Sequence, residues 1–185
     1  YDLALFSMKL DDELVAFSLD SQPGRSFYRN AGASRREGLE ASLDWQFAEA
    51  WRLSSAYSYS RFRFEDYRTA GGDFAGNDIP GIPRHNLFTE LGFERASYYA
   101  RLNMQAVGGM YAEDANQVSV AGYTLWNARF GKRFEAGGQV WEPYLGLDNL
   151  FDRRYFDNVR INANFQRYFE PGPGRTLYVG MRATF

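Results

Sequence analysis

Apolar and polar residues alternate along most of this chain, and the last nine positions show the pattern without interruption. In residues 177–185, every second position is apolar, and the series is Leu177, Val179, Met181, Ala183 and Phe185. Because successive side chains of a β-strand point to opposite faces, the alternation predicts a strand with one apolar and one polar face. The same pattern at residues 38–47, 98–107 and 124–134 predicts further strands of this kind.

The alternating segments have the length of a strand that crosses a membrane at a tilt, about 9 to 11 residues. We predict nine strands, at residues 2–10, 13–20, 35–47, 52–65, 85–94, 97–107, 122–134, 141–150 and 176–185. Short turns near residues 11, 47–51, 94–96 and 135–139 alternate with long segments near 21–34, 66–84, 108–121 and 151–175. Short periplasmic turns and long extracellular loops are typical of outer-membrane barrels. The predicted fold class is therefore all-β, a transmembrane antiparallel β-barrel.

The polar faces of the predicted strands carry several charges, among them Glu40, Asp44, Arg101 and Arg129. A dry core would have to bury these charges, which is costly unless each is paired. The polar faces therefore fit the wall of a water-filled or plugged lumen better than a protein interior.

The composition supports a barrel and excludes other classes. Aromatic residues make up 18% of the chain, with 13 Tyr and 16 Phe, as expected for aromatic belts at both membrane interfaces. No apolar run approaches the roughly 18 residues of a membrane-spanning helix. Cysteine is absent, which excludes disulfides and thiolate metal sites, and a net charge of -2 argues against a nucleic-acid partner.

Five motifs resemble elements of the TonB-dependent outer-membrane receptors of the siderophore receptor type. They are residues 30–41 (NAGASRREGLEA), 79–85 (IPGIPRH), 123–129 (YTLWNAR), 148–155 (DNLFDRRY) and 171–180 (PGPGRTLYVG). Their order and spacing make the resemblance specific. It implies a barrel of about 22 strands with a plug, located in the outer membrane of a Gram-negative bacterium. The implied function is TonB-energised uptake of a metal chelate, most simply a ferric siderophore.

The strand count and the resemblance together indicate that residues 1–185 are the C-terminal segment of such a barrel. Nine strands is an odd number, whereas complete bacterial barrels have an even number. We expect the plug domain and the TonB box to lie outside residues 1–185, and no cofactor is expected. The implied partners are outer-membrane lipid, the ferric chelate ligand, TonB and the plug domain through the N-terminal region, and the barrel-assembly machinery.

Long loops on a rigid scaffold are common ligand sites. We predict ligand contacts at Tyr111, Asn116, Tyr155, Arg160, Asn162, Phe165, Arg167 and Tyr168. Guanidinium groups pair with carboxylate or catecholate oxygens, and aromatic rings stack on an aromatic ligand. The alternative is that these residues close the mouth of the barrel and pack on other loops. In the last strand, Leu177, Val179, Met181 and Phe185 resemble the signal that the barrel-assembly machinery reads.

No catalytic or metal-binding residue is predicted. His85 is the only histidine, and at a strand end it is more readily an interfacial side chain than a metal ligand. A hydrolase would need a base beside a nucleophile, so His85 would have to meet Ser58 or Ser60, which no neighbouring motif supports. Two alternatives stay open: uptake of haem, a vitamin or a redox cofactor, and a small self-contained barrel with a structural role.

Overall fold

The structure is a computed structural model that describes residues 1–12, 14–18, 21–22, 25–30, 32–69 and 71–185. Its strands are β1 (Asp2–Asp11), β2 (Leu14–Ser18), β3 (Ser26–Asn30), β4 (Ala33–Ala48), β5 (Trp51–Asp66), β6 (Arg68–Thr69), β7 (Gly72–Asp73), β8 (His85–Arg95), β9 (Tyr98–Val107), β10 (Met110–Tyr111), β11 (Ser119–Val120), β12 (Tyr123–Lys132), β13 (Phe134–Ala136), β14 (Gln139–Asp148), β15 (Phe156–Val159), β16 (Phe169–Pro171) and β17 (Thr176–Thr184). A short 3₁₀ turn covers Asn164–Gln166. Within these ranges no helix is long and apolar enough to cross a membrane.

Nine of the segments form one antiparallel sheet in the order β1, β4, β5, β8, β9, β12, β14 and β17, with β13 also paired to β14. β13 continues the course of β12 along β14: Gly131 is opposite Tyr144, and Phe134 is opposite Trp141. The ladder is interrupted between these pairs, beside Pro143, which has no N–H to donate. β12 and β13 are therefore two parts of one strand, and within the described residues the sheet has eight long strands. The predicted all-β antiparallel fold is confirmed.

One predicted strand, at residues 13–20, is wrong as a member of this sheet. Its described part is β2, which pairs with β3 in a separate hairpin, while residues 13 and 19–20 lie outside the described ranges. β1 pairs directly with β4, from Asp2 opposite Ser42 to Asp11 opposite Ala33. At five residues each, β2 and β3 are shorter than the roughly 9 residues that a spanning strand needs. The odd number of spanning strands predicted from the sequence thus becomes an even number.

Connections between neighbouring sheet strands alternate strictly in length. The short ones fall at residues 49–50, 96–97 and 137–138, and we call that end of the sheet the turn end. The long ones cover residues 12–32, 67–84, 108–122 and 149–175, and we call the opposite end the loop end. Gly137 and Gly138 both have positive φ, 63° and 77°, the geometry that a two-residue hairpin turn of type I′ requires.

The register separates an apolar face from a polar face. One row on the apolar face crosses seven strands and consists of Trp45, Leu53, Leu91, Leu102, Ala128, Leu147 and Leu177. The adjacent row on the polar face consists of Asp44, Ser54, Glu90, Asn103 and Asn127. Large apolar side chains stay exposed, with Trp45 at 55% and Leu177 at 65%. The period-two alternation in the sequence is therefore realised across the whole sheet.

Tyrosine rings cover glycines of neighbouring strands on the polar face. The ring of Tyr144 lies over Gly180, and the ring of Tyr178 lies over Gly146, so that a Cβ atom at either glycine would overlap the ring. A large ring over a glycine replaces the packing that the missing side chain would give. These pairs cover β14 and β17 on the polar side, and a larger residue at either glycine would have to displace a tyrosine ring.

We predict that arginine substitutions at two adjacent residues of β4 will differ in cost. Leu43 lies on the apolar face near the middle of the strand, whereas Ser42 lies on the polar face. Leu43→Arg should destabilise the full-length protein by about 2 to 4 kcal/mol, because the charge would face lipid, and Ser42→Arg should cost much less. Refolding titrations in lipid vesicles measure both. Equal penalties would contradict the assignment of faces.

Candidate functional site

Three of the long connections meet at the loop end and form what we call the loop cluster, residues 67–84, 108–122 and 149–175. Its apolar centre is the pair Phe64 and Tyr67, each 1% exposed, against which Phe74 and Ile79 pack. The rings of Phe64 and Tyr67 lie 4.6 Å apart. The cluster therefore has a small core of its own, at the end of β5.

Asp114 joins the three connections. The Tyr67 hydroxyl donates to Asp114 Oδ2 at 3.0 Å, and Asn162 Nδ2 donates to Oδ1 at 3.0 Å. The backbone N–H of Asp114 donates to Asn162 Oδ1 at 3.0 Å, and Asn77 Nδ2 donates to the Asp114 carbonyl at 2.8 Å. Asp114 is only 3% exposed, and a buried carboxylate requires such partners. The predicted ligand residue Asn162 is therefore a crosslink between loops.

Asn116 has a similar role between two of the connections. Its Oδ1 accepts from the Asp78 N–H at 2.8 Å, and its Nδ2 donates to the Asp78 carbonyl at 2.9 Å. Its φ of 58° is left-handed, a conformation that asparagine tolerates. Glu113 closes the same turn by accepting from the N–H groups of Ala115, Gln117 and Val118. The side-chain amides of Asn116 and Asn162 are thus both hydrogen-bonded to other groups of the protein.

Tyr111 lines a small cleft of about 240 Å³ together with Asp78 and Arg84. Its carbonyl accepts from the Gly81 N–H at 2.8 Å, and its side chain is half-buried. Arg84 and Asp78 form an ion pair at 2.6 Å. The hydrogen bonds that Arg84 donates to the Asp78 carboxylate raise the pKa of the guanidinium. Because Arg84 is paired with Asp78, a ligand in this cleft would meet the Tyr111 side chain and little unpaired charge.

Two more of the predicted ligand residues, Tyr155 and Arg160, have partners inside the protein. The ring of Tyr155 lies 4.7 Å from that of Tyr123, and burial raises the pKa of its phenol. Arg160 pairs with Glu170 at 2.6 Å, across the hairpin of β15 and β16. Hydrogen bonds from Asn158 and then Arg160 hold the pKa of Glu170 below its usual range. Both side chains therefore have structural partners.

Phe165, Arg167 and Tyr168 lie in the segment between β15 and β16. Phe165 is 70% exposed and has a left-handed φ of 56°. Arg167 is exposed and forms no ion pair with any residue that the structure describes. Tyr168 packs against Phe169 at 5.9 Å, and burial, with a smaller effect of Glu113, raises its pKa. Of the eight predicted residues, Arg160, Phe165 and Arg167 are exposed, and Arg160 is paired with Glu170. Phe165 and Arg167, with the half-buried Tyr168 beside them, are therefore the ones most available to a ligand.

Charged side chains on the polar face near the turn end are paired with each other. Arg101 lies 3.3 Å from Glu94 and 3.6 Å from Glu90, and Arg133 lies 2.7 Å from Glu94 and 2.9 Å from Glu142. Arg101 thus meets two carboxylates of β8, and Arg133 bridges one carboxylate of β8 and one of β14. Next to this network, a polar hollow of about 470 Å³ is open on the same face.

Residues considered for catalysis or metal binding are not assembled into a site. His85 is the register partner of Tyr59 on the apolar face, whereas Ser58 lies on the polar face. His85 Nδ1 is 2.8 Å from the Tyr57 hydroxyl. In the part of the chain that the structure describes, no group of three His, Cys, Asp or Glu residues is placed to hold a metal ion.

The strand proposed as an assembly signal presents its apolar residues without cover. Leu177, Val179, Met181 and Phe185 are 65%, 77%, 61% and 91% exposed. β17 pairs with β14 along nine positions, and β14 is its partner among the described strands. The apolar row of β17 and its second hydrogen-bonding edge are therefore both available for contact with another strand or with lipid.

Comparison with known proteins finds related sequences and folds. A family model described as "TonB dependent receptor-like, beta-barrel" matches residues 1–150. The ferric-pyoverdine M114 receptor PbuA of Pseudomonas sp. (strain M114) is 25% identical over 166 residues, covering 84% of this chain and 19% of the relative. The pesticin receptor of Yersinia pestis is 26% identical over 160 residues, covering 84% and 23%. The chain thus spans about a fifth to a quarter of the length of these relatives.

Solved structures show the same fold. The siderophore receptor PiuA from Acinetobacter baumannii superposes with a TM-score of 0.73 and 20% identity, covering 98% of this chain and 26% of that structure. The ferric yersiniabactin uptake receptor FyuA from Yersinia pestis also gives a TM-score of 0.73, with 23% identity, covering 99% and 27%.

We predict that Asp114→Ala will loosen two loops together. Removing the carboxylate takes away the oxygens that accept from the Tyr67 hydroxyl and the Asn162 amide, and the loss of a buried hydrogen bond costs about 1 to 3 kcal/mol. Amide hydrogen exchange of the full-length protein should therefore accelerate about tenfold or more in residues 108–122 and 149–163. The control is Asp73→Ala, an exposed carboxylate of the same cluster that pairs with Arg68. Equal exchange in both variants would contradict the role of Asp114.

Proposed function

This chain belongs to the TonB-dependent receptor family. From that premise, we propose that it is the C-terminal part of the barrel of an outer-membrane receptor. We propose that this receptor imports a ferric siderophore. The family match over residues 1–150 is the observation that carries the proposal. The names of PbuA and PiuA describe a ferric-pyoverdine receptor and a siderophore receptor, which supports a ferric chelate as cargo. We propose the outer membrane of a Gram-negative bacterium as the location.

The polar face is proposed to line the lumen, with the apolar face against lipid. β1 and β17 are edges of the described sheet, and in a barrel of about 22 strands each edge would pair with a further strand of the full-length protein. The paired network of Arg101 and Arg133, with the polar hollow beside it, is proposed as the surface that meets a plug domain. Energy from TonB would then act through the plug, outside residues 1–185.

The segment with Phe165, Arg167 and Tyr168 is proposed as the ligand contact of this chain. A siderophore carries anionic oxygens, often on aromatic rings, and an unpaired guanidinium with neighbouring rings fits such a ligand. Asn116, Asn162, Tyr155 and Arg160 are occupied within the protein. We propose that they hold the loops in place and do not contact cargo.

Other readings are less well supported. The same fold could import haem, a vitamin or a redox cofactor, but the curated relatives PbuA and PiuA are named as receptors for siderophores. A small self-contained barrel would need β1 to pair with β17, whereas in the described sheet these two strands are opposite edges and do not pair with each other. The family is one of transport receptors, and we propose that this protein has no enzymatic activity.

We predict that deleting the gene for the full-length protein will abolish uptake of ⁵⁵Fe by iron-starved cells of the native host. The probe is the siderophore fraction of the host's own iron-poor medium, loaded with ⁵⁵Fe, and the control is ferrous iron. Complementation with the full-length gene should restore uptake. Unchanged uptake of the siderophore-bound iron in the deletion strain would contradict the proposed cargo.

Arg167→Ala in the complementing gene should weaken binding of the same ⁵⁵Fe probe to outer-membrane vesicles about tenfold or more, because a charge-assisted contact is lost. The matched control is Arg175→Ala, an exposed arginine at the base of the same connection. Equal binding by the two variants would remove Arg167 from the proposed site.

We also predict that deleting Phe185 will lower the folded yield of the full-length protein in the outer membrane. The terminal aromatic residue ends the exposed apolar row of β17, which is proposed to be read by the barrel-assembly machinery. Thr184→Ala, a change at the neighbouring polar-face position, should leave the yield unchanged. The measurement is the heat-modifiable band on a gel, and equal bands for both variants would contradict the proposal.

A further inference from the structure

A groove of about 620 Å³ lies on the apolar face at the loop end of β5, β8, β9 and β12. Its floor is the row Leu87, Ala106 and Thr124, which are register partners on three neighbouring strands. Towards the loop end, Gly108 and Gly122 continue the lining. Because glycine has no side chain, the surface stays recessed there. The groove therefore combines a mainly apolar floor with an open end at the rim of the sheet.

Tyr57 and His85 form one wall of this groove. Tyr57 is the register partner of Leu87, and His85 lies two residues before Leu87 on the same face. The Tyr57 hydroxyl is 2.8 Å from His85 Nδ1. When Tyr57 donates to Nδ1, the neutral imidazole carries its proton on Nε2 and offers it as a donor. This wall thus combines two aromatic rings with a hydrogen-bond donor, a mixture that is typical of aromatic residues at membrane interfaces.

Arg153 lines the groove from a different segment, which crosses the apolar face after β14. The ring of Phe151 lies edge-on to Trp126 at 6.4 Å, and this contact places the segment against the sheet. Asn149, 4% exposed, accepts from the Arg153 N–H at 2.8 Å and donates to its carbonyl at 2.9 Å. The backbone of Arg153 is therefore fixed before any ligand binds.

The guanidinium of Arg153 is exposed and forms no ion pair within the described ranges. The neighbouring carboxylate of Asp152 is used elsewhere, accepting from the Arg175 N–H at 2.9 Å. By contrast, Arg101 and Arg133 on the polar face each bridge two carboxylates. The groove thus holds an available cation on a surface that would otherwise be apolar and aromatic.

We propose that this groove binds the phosphate head group of an outer-leaflet lipid, with an acyl chain along the floor. The inference rests on the proposed outer-membrane location. An arginine fork matches phosphate oxygens bidentately, and basic side chains at a membrane surface attract anionic head groups. A free phosphate ion would meet Arg153 and His85 but would leave Leu87 and Ala106 uncovered. The apolar floor therefore favours a lipid over a soluble anion.

The test uses the full-length receptor in detergent and titrates it with phosphorylated lipid A, following bound lipid by native mass spectrometry. Arg153→Gln should weaken binding about tenfold or more, because the charge-assisted contact is lost. The matched control is Arg154→Gln, the adjacent exposed arginine that does not line the groove. Heat-modifiable migration on a gel shows that both variants are folded. A second variant, His85→Gln, should weaken binding less than Arg153→Gln.

Dephosphorylated lipid A should bind the parent protein and Arg153→Gln equally weakly, and inorganic phosphate should not displace the phosphorylated lipid. Equal affinity of Arg153→Gln and Arg154→Gln would overturn the proposal, as would tight binding of the dephosphorylated lipid. Displacement by millimolar phosphate would identify a simple anion site and would also overturn it. Uptake of ⁵⁵Fe by the same variants should be unchanged, so a failure of lipid binding is distinguished from a failure of transport.

Discussion

A chain that crosses a membrane has no water to satisfy its backbone N–H and C=O groups, so each group must find a partner within the protein. Here the partners are neighbouring antiparallel strands, from β1 beside β4 to β14 beside β17. Once this ladder fixes the register, every side chain is assigned to one face. The same strand register places the row through Trp45 on the apolar face and the neighbouring row through Asp44 on the polar face.

The separation of faces determines where charge and recognition can lie. On the polar face, arginines such as Arg101 and Arg133 pair with carboxylates on other strands of the sheet. We propose that recognition lies at the loop end, where Tyr67, Asp114 and Asn162 join three long connections into one cluster. The proposed ligand segment around Arg167 belongs to one of these joined connections, and a pre-ordered loop pays less conformational entropy when a ligand binds.

Period-two alternation was sufficient to predict the eight long strands. A strand with one face in lipid needs an apolar residue at every second position, so every spanning strand shows the alternation. The alternation could not exclude residues 13–20, since β2 and β3 form a local hairpin with an ordinary strand composition. Loop residues were harder still. Asn162 and Arg160 have the chemistry of ligand contacts, but their hydrogen-bond partners are far away in sequence or across a hairpin. Asp114 and Tyr67 were missed because only the folded loops bring them together.

The assignment of one face to lipid and the other to a lumen is tested most directly by cysteine scanning of β4. Single cysteines can be placed at residues 39–47, since this chain has none of its own, and spin-labelled in the full-length protein in lipid vesicles. Collision rates with oxygen, which concentrates in lipid, should be high at Leu39, Ala41, Leu43, Trp45 and Phe47 and low at the four positions between them. Collision rates without a period of two residues would contradict the account.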